Sequence, residues 1–344
     1  MTASIRDVAR EAGVSVATIS RVLNGNELVA AATRERVQAA IERLGYIPHR
    51  GARSLITRRT ETVGVVLPDV FGEFFSELIR GIDQTARVTH HHVLVSSSHS
   101  DLDEVQAVLH ALRGRVDGLI VMSPDVKSLP FLVRYGRALP IILLNCGEDC
   151  AGFDAISVDN YGGARAMVEH LLGLGHRRIA LIGGPPDNLD ARERARGWRD
   201  ILAAAGCAAA PELELPGDFL EASGYRAGRA LAGISPRPTA VFAANDAMAV
   251  GCLSAFREHG WRVPEDIAIG GFDDIPISHY LNPPLTSVRV PIAELGSRAM
   301  QRLLTRLAGD GESPHQRDVV QTELVVRASC GAQTATARPT TQGG

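Results

Sequence analysis

Polar and aromatic side chains recur in the segments that follow short, branched-apolar runs of this 344-residue chain. Carboxylates, amides and an arginine fork can hold hydroxyl or carbonyl groups in fixed directions, and aromatic faces can stack on the apolar surface of a ring. This combination suits a sugar or a similar small polyol. We therefore predict small-molecule contacts from nine residues: Phe74, Phe75, Asp159, Asn188, Asp190, Arg194, Phe219, Asn245 and Asp273.

Several side chains in these segments have a purely structural alternative. An Asp that follows a strand often caps the next helix, and this role is open to Asp246 as well as to Asp273. Phe74 and Phe75 are adjacent in the sequence, so one of them is expected to pack in the core and not to face a ligand. Trp198 is interpreted as a core residue.

The motifs that place catalytic groups in common α/β enzymes do not occur in this sequence. Lys127 is the only lysine and lies in no glycine-rich loop. The sequence therefore offers no residue for the central role in a P-loop nucleotidase or a Schiff-base enzyme. GxGxxG, GxSxG and HExxH are absent. Asp190 and Asp273 could act as an acid–base pair, but ligand binding needs the same groups. We predict a protein that is not an enzyme and holds no cofactor.

Composition is typical of a globular protein, with 45% hydrophobic and 22% charged residues. Because the sequence has neither a membrane-length apolar run nor a secretory signal, we predict a cytoplasmic protein without a membrane partner. The five cysteines are scattered, which favours neither a disulfide framework nor a zinc site. The HHH run at 90–92 enters a strand whose side chains alternate in direction, so a metal site is not expected there.

The first 60 residues differ in charge from the rest of the chain. They carry ten Arg against five Asp or Glu, an excess of +5, while the net charge of the whole chain is -3. The remaining residues therefore carry -8. A basic segment on an acidic body suggests that the first part meets a polyanion such as DNA.

Helix signals in the basic segment predict three short helices. Ser4 and Asp7 form an N-terminal capping pattern, Gly13 ends the first helix, and Ser15 begins the second, from Val16 to about Leu23. A third helix is predicted from Thr33 to Gly45. Two helices joined by so tight a turn predict a helix-turn-helix, although a structural helical hairpin without DNA contact is the alternative.

The second helix has the composition of a recognition helix. Its first residues are short, which lets the backbone approach base edges in the major groove, and polar side chains flank them. We predict DNA contacts from Ser15, Val16, Ala17, Thr18, Ser20, Arg21 and Asn24.

The stretches "IRDVAREAGVSVATISRVLNG" and "VAAATRERVQAAIERLGYIPHRGARSL" resemble the N-terminal module of the LacI/GalR family of bacterial transcription regulators, and the resemblance continues to about residue 328. The resemblance implies that Val16 and Ala17 choose the operator half-site and that Arg21 and Asn24 approach the DNA. It also implies that "IPHRGARSL" is a hinge whose two copies fold on the operator and insert Leu55 into the minor groove.

The residues of this hinge fit such a role. Pro48 cannot continue the third helix, and the turn and a half that follows is too short to be stable alone, so its folding would be coupled to binding. An apolar wedge between base steps would kink the duplex, although packing of Leu55 on the body is the alternative. Gly51 and His49 depart from the pattern that we expect of this hinge. The predicted hinge contacts with DNA are His49, Ala52, Arg53 and Leu55.

From Thr62 onward, ten or eleven strand-like runs are mostly separated by helix-length segments, which predicts parallel sheets covered by helices. The predicted fold is an N-terminal all-α helix-turn-helix head plus an α/β two-lobe body of periplasmic-binding-protein-like type. We expect the chain to cross between lobes near Cys146–Ala155, Phe272–Pro284 and Pro291. The predicted segments are the head at 1–47, the hinge and linker at 48–60, the body at 61–330 and a disordered tail at 331–344.

The predicted ligand site lies between the lobes, at the carboxyl ends of the strands. By the resemblance, Arg194 of "RERARGW" and Asp273 of "GGFDD" are the most constant effector contacts. A nucleobase-responsive relative would place an Arg and a Thr where this chain has Asn188 and Asp190, so these two residues favour a sugar.

The sequence thus predicts a DNA-binding transcriptional regulator, a repressor, that binds a near-palindromic operator as a homodimer under control of a small-molecule effector, a carbohydrate. A dimer is favoured over a tetramer because the tail "GAQTATARPTTQGG" has no leucine heptads. One alternative is a regulator that responds to a nucleobase or another metabolite, and another is a sugar-processing enzyme. A third is a transport-linked binding protein, but such a protein needs an export signal at the position where this chain has its basic head.

Overall fold

The computed structural model of the protein describes residues 3–23, 28–46, 59–99, 101–122, 129–136, 139–147, 150, 152–207, 209–309 and 314–332. The chain divides into two compact units, a head of residues 1–60 and a body of residues 61–344. No helix in the described ranges combines the length and the apolar character needed to cross a bilayer. The predicted DNA contacts Asn24, His49, Ala52, Arg53 and Leu55 lie outside these ranges, as does the tail from residue 333.

The head consists of three helices, α1 (Ile5–Ala12), α2 (Val16–Leu23) and α3 (Ala31–Leu44). The side chain of Ser4 and that of Asp7 form the predicted capping box at the start of α1. Gly13 ends α1 in the left-handed conformation, at φ 65°, which glycine adopts without a Cβ clash. These observations confirm the local signals in the sequence.

Helix α3 begins two residues earlier than predicted. The carbonyl oxygen of Ala30 accepts hydrogen bonds from the amides of Thr33 at 2.9 Å and Arg34 at 3.1 Å, so the helix starts without a side-chain cap that the sequence could show. Its end before Gly45 is as predicted. The three helices share one small apolar core of Val8, Ala9, Ala12, Ile19, Val37, Ala40 and Tyr46.

The first lobe of the body contains a six-stranded sheet with the order β11-β5-β4-β3-β1-β2, in which all pairs are parallel. Its strands are β1 (Thr62–Leu67), β2 (His92–Ser97), β3 (Gly118–Met122), β4 (Ile141–Leu144), β5 (Asp154–Val158) and β11 (Arg317–Val320). Its helices are α4 (Glu73–Val88), α5 (Leu102–Leu112), α6 (Leu129–Gly136) and α11 (Ile292–Leu307).

The second lobe contains a six-stranded sheet with the order β12-β10-β9-β8-β6-β7, parallel except for the β10–β12 pair. Its strands are β6 (Ile179–Ile182), β7 (Glu214–Leu215), β8 (Ala240–Ala243), β9 (Ala268–Asp273), β10 (Thr286–Arg289) and β12 (Glu323–Val325). Its helices are α7 (Asn160–Gly173), α8 (Leu189–Ala204), α9 (Glu221–Leu231) and α10 (Asp246–Glu258). Central strands such as β6 and β8 are buried throughout, which explains their uninterrupted apolar sequences.

Two of the three predicted crossings between the lobes are wrong. The segment Cys146–Ala155 returns to the first lobe, because β5 pairs with β4, and the chain leaves that lobe only after Val158. The segment Phe272–Pro284 stays in the second lobe, because β9 and β10 are neighbours. The crossing near Pro291 is confirmed, since α11 packs on the first lobe. A further crossing divides the last apolar run into β11 and β12, at the polar pair Gln321–Thr322.

Helices α4 and α11 pack together so closely that their contact requires glycine. A Cβ built on Gly81 would lie 1.9 Å from the carbonyl oxygen of Ala293, and one on Gly296 would lie 2.3 Å from that of Leu78. Backbone atoms cannot yield as a side chain can. This contact therefore fixes the position of α11, which returns the chain to the first lobe.

The substitution Gly81→Ala is expected to lower the free energy of unfolding by about 1–3 kcal/mol, because the added methyl group forces two helix backbones apart. The matched change Gly173→Ala, at the last residue of α7, meets no atom within 4 Å and should stay within about 0.5 kcal/mol of the wild type. Urea unfolding followed by circular dichroism measures both. Equal stability of the two variants would contradict the close contact.

Candidate ligand cavity and nucleic-acid interface

A cavity of about 490 Å³ lies between the lobes of the body, at the carboxyl ends of β1, β6, β8 and β9. This is the edge at which parallel α/β sheets usually place their ligand sites. Eight of the nine residues singled out in the sequence line it, namely Phe74, Phe75, Asn188, Asp190, Arg194, Phe219, Asn245 and Asp273.

The prediction for Asp159 is wrong, because this residue does not line the cavity. Its Oδ1 accepts a hydrogen bond from the amide of Gly162 at 2.8 Å and so caps α7. The next residue, Asn160, is buried instead and contacts Asp190 and Arg194. The predicted residue and the buried one are adjacent. They lie where β5 ends and α7 begins, and the direction of successive side chains changes at that point. We call Asp190, Arg194 and Asp273 the cavity floor.

Two asparagines that are not among the nine predicted contacts hold the carboxylate of Asp190. Asn160 Nδ2 donates to Asp190 Oδ1 at 2.9 Å, and Asn145 Nδ2 donates to Asp190 Oδ2 at 2.9 Å. Because Asn145 follows β4 in the first lobe and Asp190 lies on α8 in the second, the latter bond joins the lobes. Each asparagine ends or closely follows an apolar run, so the rule that found the other residues could have found these.

Arg194 is the central cation of the cavity floor and is only 4% exposed. Its Nε donates to Asn160 Oδ1 at 2.8 Å, and its Nη1 donates to the carbonyl of Ala244 at 2.6 Å and lies 3.2 Å from Asp273 Oδ1. Its Cζ lies 3.7 Å from the centre of the Phe272 ring. The guanidinium is thus held by partners from several elements of the second lobe.

Asp273 combines burial with an incompletely satisfied carboxylate. It is 4% exposed and has a φ of 100°. Although Arg194 Nη1 is close, Oδ1 receives no hydrogen bond of acceptable geometry from the described residues. Burial raises the pKa of Asp273 to about 6. The charge of Arg194 opposes this increase in pKa, and the charge of Asp190 adds to it. Burial also raises the pKa of Asp190. Because Asp273 lines the cavity, its carboxylate can accept a hydrogen bond from a ligand donor.

Both phenylalanines of α4 line the cavity, so the expectation that only one of them faces it is wrong. Phe74 and Phe75 pack edge to face, with ring centres 5.5 Å apart and planes at 84°. Each also packs on the core. This arrangement in the first turn of the helix lets two adjacent rings border one space.

The structural alternatives are resolved in different ways. Asn245, and not Asp246, caps α10, since its Oδ1 accepts from the Met248 amide at 3.0 Å. Asp246 is fully buried and accepts hydrogen bonds at 2.6 Å from the hydroxyls of Ser278 and Ser287. Burial raises the pKa of Asp246 to about 8. Asp273 caps no helix.

Trp198 is fully buried, and its Nε1 donates to the carbonyl of Ile179 at 3.2 Å. It does not line the cavity, so its interpretation as a core residue is confirmed.

In the head, α2 presents a small surface with short side chains at its start. Val16 is 42% exposed, and Ala17 and Arg21 are also exposed, whereas Ile19 is buried. Ser15 Oγ caps the helix by accepting from the Thr18 amide at 3.1 Å, and it pairs with Thr18 Oγ1 at 2.9 Å. Ser20 is half-buried. Apolar burial on one side thus leaves Val16, Ala17 and Arg21 free to meet a groove.

A helix-turn-helix head joined to a two-lobe body with a polar cavity defines the class of ligand-controlled DNA-binding proteins. Comparison with known proteins gives the family. Residues 4–49 match the bacterial regulatory proteins of the lacI family, and residues 168–330 match the periplasmic binding protein-like domain.

Similar proteins cover nearly the whole chain. The HTH-type transcriptional repressor PurR of Aliivibrio fischeri (strain MJ11) is 37% identical over 333 residues, which are 95% of this chain and 98% of that protein. The Lac repressor dimer bound to operator and the anti-inducer ONPF superposes with a TM-score of 0.86 at 32% identity, covering 96% of this chain and 100% of that one. A complex of the transcriptional regulator CelR with cellobiose gives a TM-score of 0.72 at 34% identity, covering 95% and 99%.

The chain therefore belongs to the LacI family of bacterial regulatory proteins, as the sequence motifs suggested. It is a DNA-binding transcriptional regulator with a small-molecule effector, and its fold is that of a helix-turn-helix head with a two-sheet, periplasmic-binding-protein-like body. The relatives named above are regulators, and none is named as an enzyme.

Replacement of Arg194 by Met is expected to lower the free energy of unfolding by about 3–5 kcal/mol, because Asp190 and Asp273 lose their buried counter-charge. Arg192, on the same helix, is exposed, and Arg192→Met should stay within about 0.5 kcal/mol of the wild type. Chemical unfolding at neutral pH measures both. Similar losses for the two variants would show that the buried cation has no special role.

The raised pKa of Asp273 gives a pH dependence with a defined sign. The ionised carboxylate is less favourable in the folded chain than in the unfolded chain, so this contribution to stability is complete below about pH 4 and is lost as the pH rises through about 6. As the pH rises from about 4 to about 6, the wild type should therefore lose unfolding free energy relative to the Asp273→Asn variant. Asp187→Asn, at an exposed site, should show no such shift, and a flat difference for Asp273→Asn would refute the assignment.

Proposed function

We propose that the protein is a transcriptional repressor that binds a near-palindromic operator as a homodimer and responds to a sugar bound between its lobes. The observation that carries the effector assignment is the cavity floor, where Asp273 forms an ion pair with the buried Arg194 but its carboxylate receives no hydrogen bond of good geometry from the described residues. Such a floor needs donors from the ligand, and sugar hydroxyls supply them.

Aromatic faces and a relative with a bound sugar support the same ligand class. Phe74, Phe75 and Phe219 border the cavity and can cover the apolar face of a sugar ring. The CelR structure, at 34% identity, contains cellobiose. Polar acceptors next to aromatic rings suit a hydroxylated ring better than a flat, fully apolar one. No chemical step is assigned to these groups, and we propose that the ligand leaves unchanged.

The DNA-binding part of the proposal rests on the exposed start of α2. Val16 and Ala17 are short enough to let the helix backbone approach base edges, and Arg21 can reach a phosphate or a base. Ser15, Thr18, Ser20, Asn24 and the hinge residues His49, Ala52, Arg53 and Leu55 complete the proposed contact set. The Lac repressor structure, a dimer on its operator, supports two-fold binding here. The proposed place of action is the cytoplasm, with the DNA.

Selection of binding sites from random DNA by the full chain tests this function. We expect an enriched, near-symmetric sequence whose binding changes when a sugar from a panel of monosaccharides and disaccharides is added. Enrichment of no symmetric site would overturn operator binding by a dimer. A response to nucleobases alone would overturn the effector class but would leave operator binding intact.

The substitution Ala17→Glu should weaken binding to the selected site by at least about 100-fold, because a carboxylate at this position faces the phosphates and base edges of the groove. The same change at Ala39, an exposed residue of α3, adds the same charge outside α2 and should cost less than about tenfold. Fluorescence anisotropy measures both affinities, and circular dichroism checks that the head stays folded. Equal losses would indicate that charge alone, and not the α2 surface, decides binding.

A further inference from the structure

Four carboxylates border the cavity in addition to the two at its floor. Asp69 and Glu73 come from the first lobe, and Asp218 and Glu221 come from the second. Asp69 is half-buried and the other three are exposed. We call these four residues the mouth carboxylates. Negative charge thus stands on both sides of the entrance.

The basic side chains that line the cavity are already engaged. Among the described residues of the lining, these are Arg194 and His99. Arg194 donates to Ala244 and Asn160 and pairs with Asp273, as described above. The ring of His99 pairs through Nδ1 with Glu104 and through Nε2 with Ser97 Oγ at 3.1 Å. Each basic side chain of the lining thus already has an acidic partner, Asp273 for Arg194 and Glu104 for His99.

Few of the mouth carboxylates have a partner of opposite charge in the described part of the chain. Glu73 Oε2 accepts from the Ile277 amide at 3.0 Å, a bond that orients the carboxylate. In the described part of the chain, Asp218 alone among the four forms an ion pair, with Arg226 at 3.3 Å. The Arg226 side chain is 67% exposed, so water and salt screen this pair.

An independent observation points to a ligand in this acidic cavity. Asp273 is more than nine-tenths buried and lines the cavity, and beyond its ion pair with Arg194 its carboxylate receives no hydrogen bond of good geometry from the described residues. Two aromatic rings, Phe71 and Phe219, also stand beside the mouth carboxylates in the lining. Ring faces attract cations as carboxylates do. The floor thus offers a hydrogen-bond acceptor to donors of a ligand, and the mouth offers negative charge to a cationic group of a ligand.

We propose that the effector is an amine-bearing sugar, whose hydroxyl groups donate to the floor at Asp273 and whose ammonium group lies at the mouth carboxylates of the two lobes. This inference rests on the proposed function, in which a sugar occupies this cavity. Sugars that carry a phosphate or a carboxylate are rejected, because their charge would be desolvated next to like charges and without a free cation.

Calorimetric titration of the full chain with matched sugars tests the inference. The probes are cellobiose, the corresponding β-linked glucosamine dimer and its N-acetylated form, together with glucose, glucosamine and glucose 6-phosphate. At about pH 6.5 the amine is charged. We expect the amine-bearing sugar to bind at least about tenfold more tightly than its neutral counterpart, and N-acetylation to abolish this advantage. The advantage should shrink as salt rises, and glucose 6-phosphate should show no binding.

A pair of variants locates the charge effect at the mouth. The combined change Asp218→Asn and Glu221→Gln, at two exposed positions, should remove most of the amine advantage while the affinity for the neutral sugar changes less than about twofold. Glu265 is an exposed residue of the same lobe that precedes β9, at the opposite edge of the sheet. Glu265→Gln should change neither affinity.

The outcomes separate this inference from the proposed function. If a neutral sugar binds as tightly as its amine-bearing counterpart, or the phosphorylated sugar binds equally well, the inference is wrong and the sugar site stands. If the mouth variant keeps the full amine advantage, the ammonium does not lie at the mouth and the inference is wrong as stated. If none of the sugars binds, the proposed sugar effector itself is wrong.

Discussion

A buried guanidinium is stable only where acceptors and opposite charge surround it, and the cavity of this protein is built around that requirement. Arg194 projects from α8 toward the ends of several other elements. Its partners are Asp273 at the end of β9, Asn160 at the start of α7 and the carbonyl of Ala244 just after β8. A single cation thus connects several elements at the carboxyl edge of the second sheet. Asn160 also donates to Asp190, so the second acid of the floor belongs to the same network.

The same network reaches the other lobe. Asp190 lies one turn before Arg194 on α8 and binds Asn145, which follows the first lobe's β4. At the mouth, Glu73 of the first lobe binds the Ile277 amide of the second. A ligand that changes the charge or hydrogen bonding of the floor therefore acts on groups that already connect the lobes. It shifts their arrangement only to the extent that it binds one arrangement better than another, and this difference is the free energy available for control of DNA binding.

What the sequence could predict depended on how local the cause was. The turn at Gly13 was predictable because a left-handed residue after a short helix is a local event. The eight cavity residues were predictable because the ends of parallel strands share one edge. Asp159 was chosen in place of Asn160 because the first helical residue after a strand depends on packing and not on composition. The bond from Asn145 to Asp190 joins residues 45 positions apart, and the pattern of neither segment shows it.

The central claim is that a ligand hydroxyl donates a hydrogen bond to the carboxylate of Asp273, which lines the cavity. Such a donor favours the ionised carboxylate, so binding near the pKa of about 6 must release protons. The direct measurement is the binding enthalpy of the tightest-binding uncharged sugar at about pH 6, in buffers of different ionisation enthalpy. The account predicts net proton release by the wild type and none by Asp273→Asn. Proton uptake by the wild type, or an enthalpy that does not depend on the buffer, would contradict it.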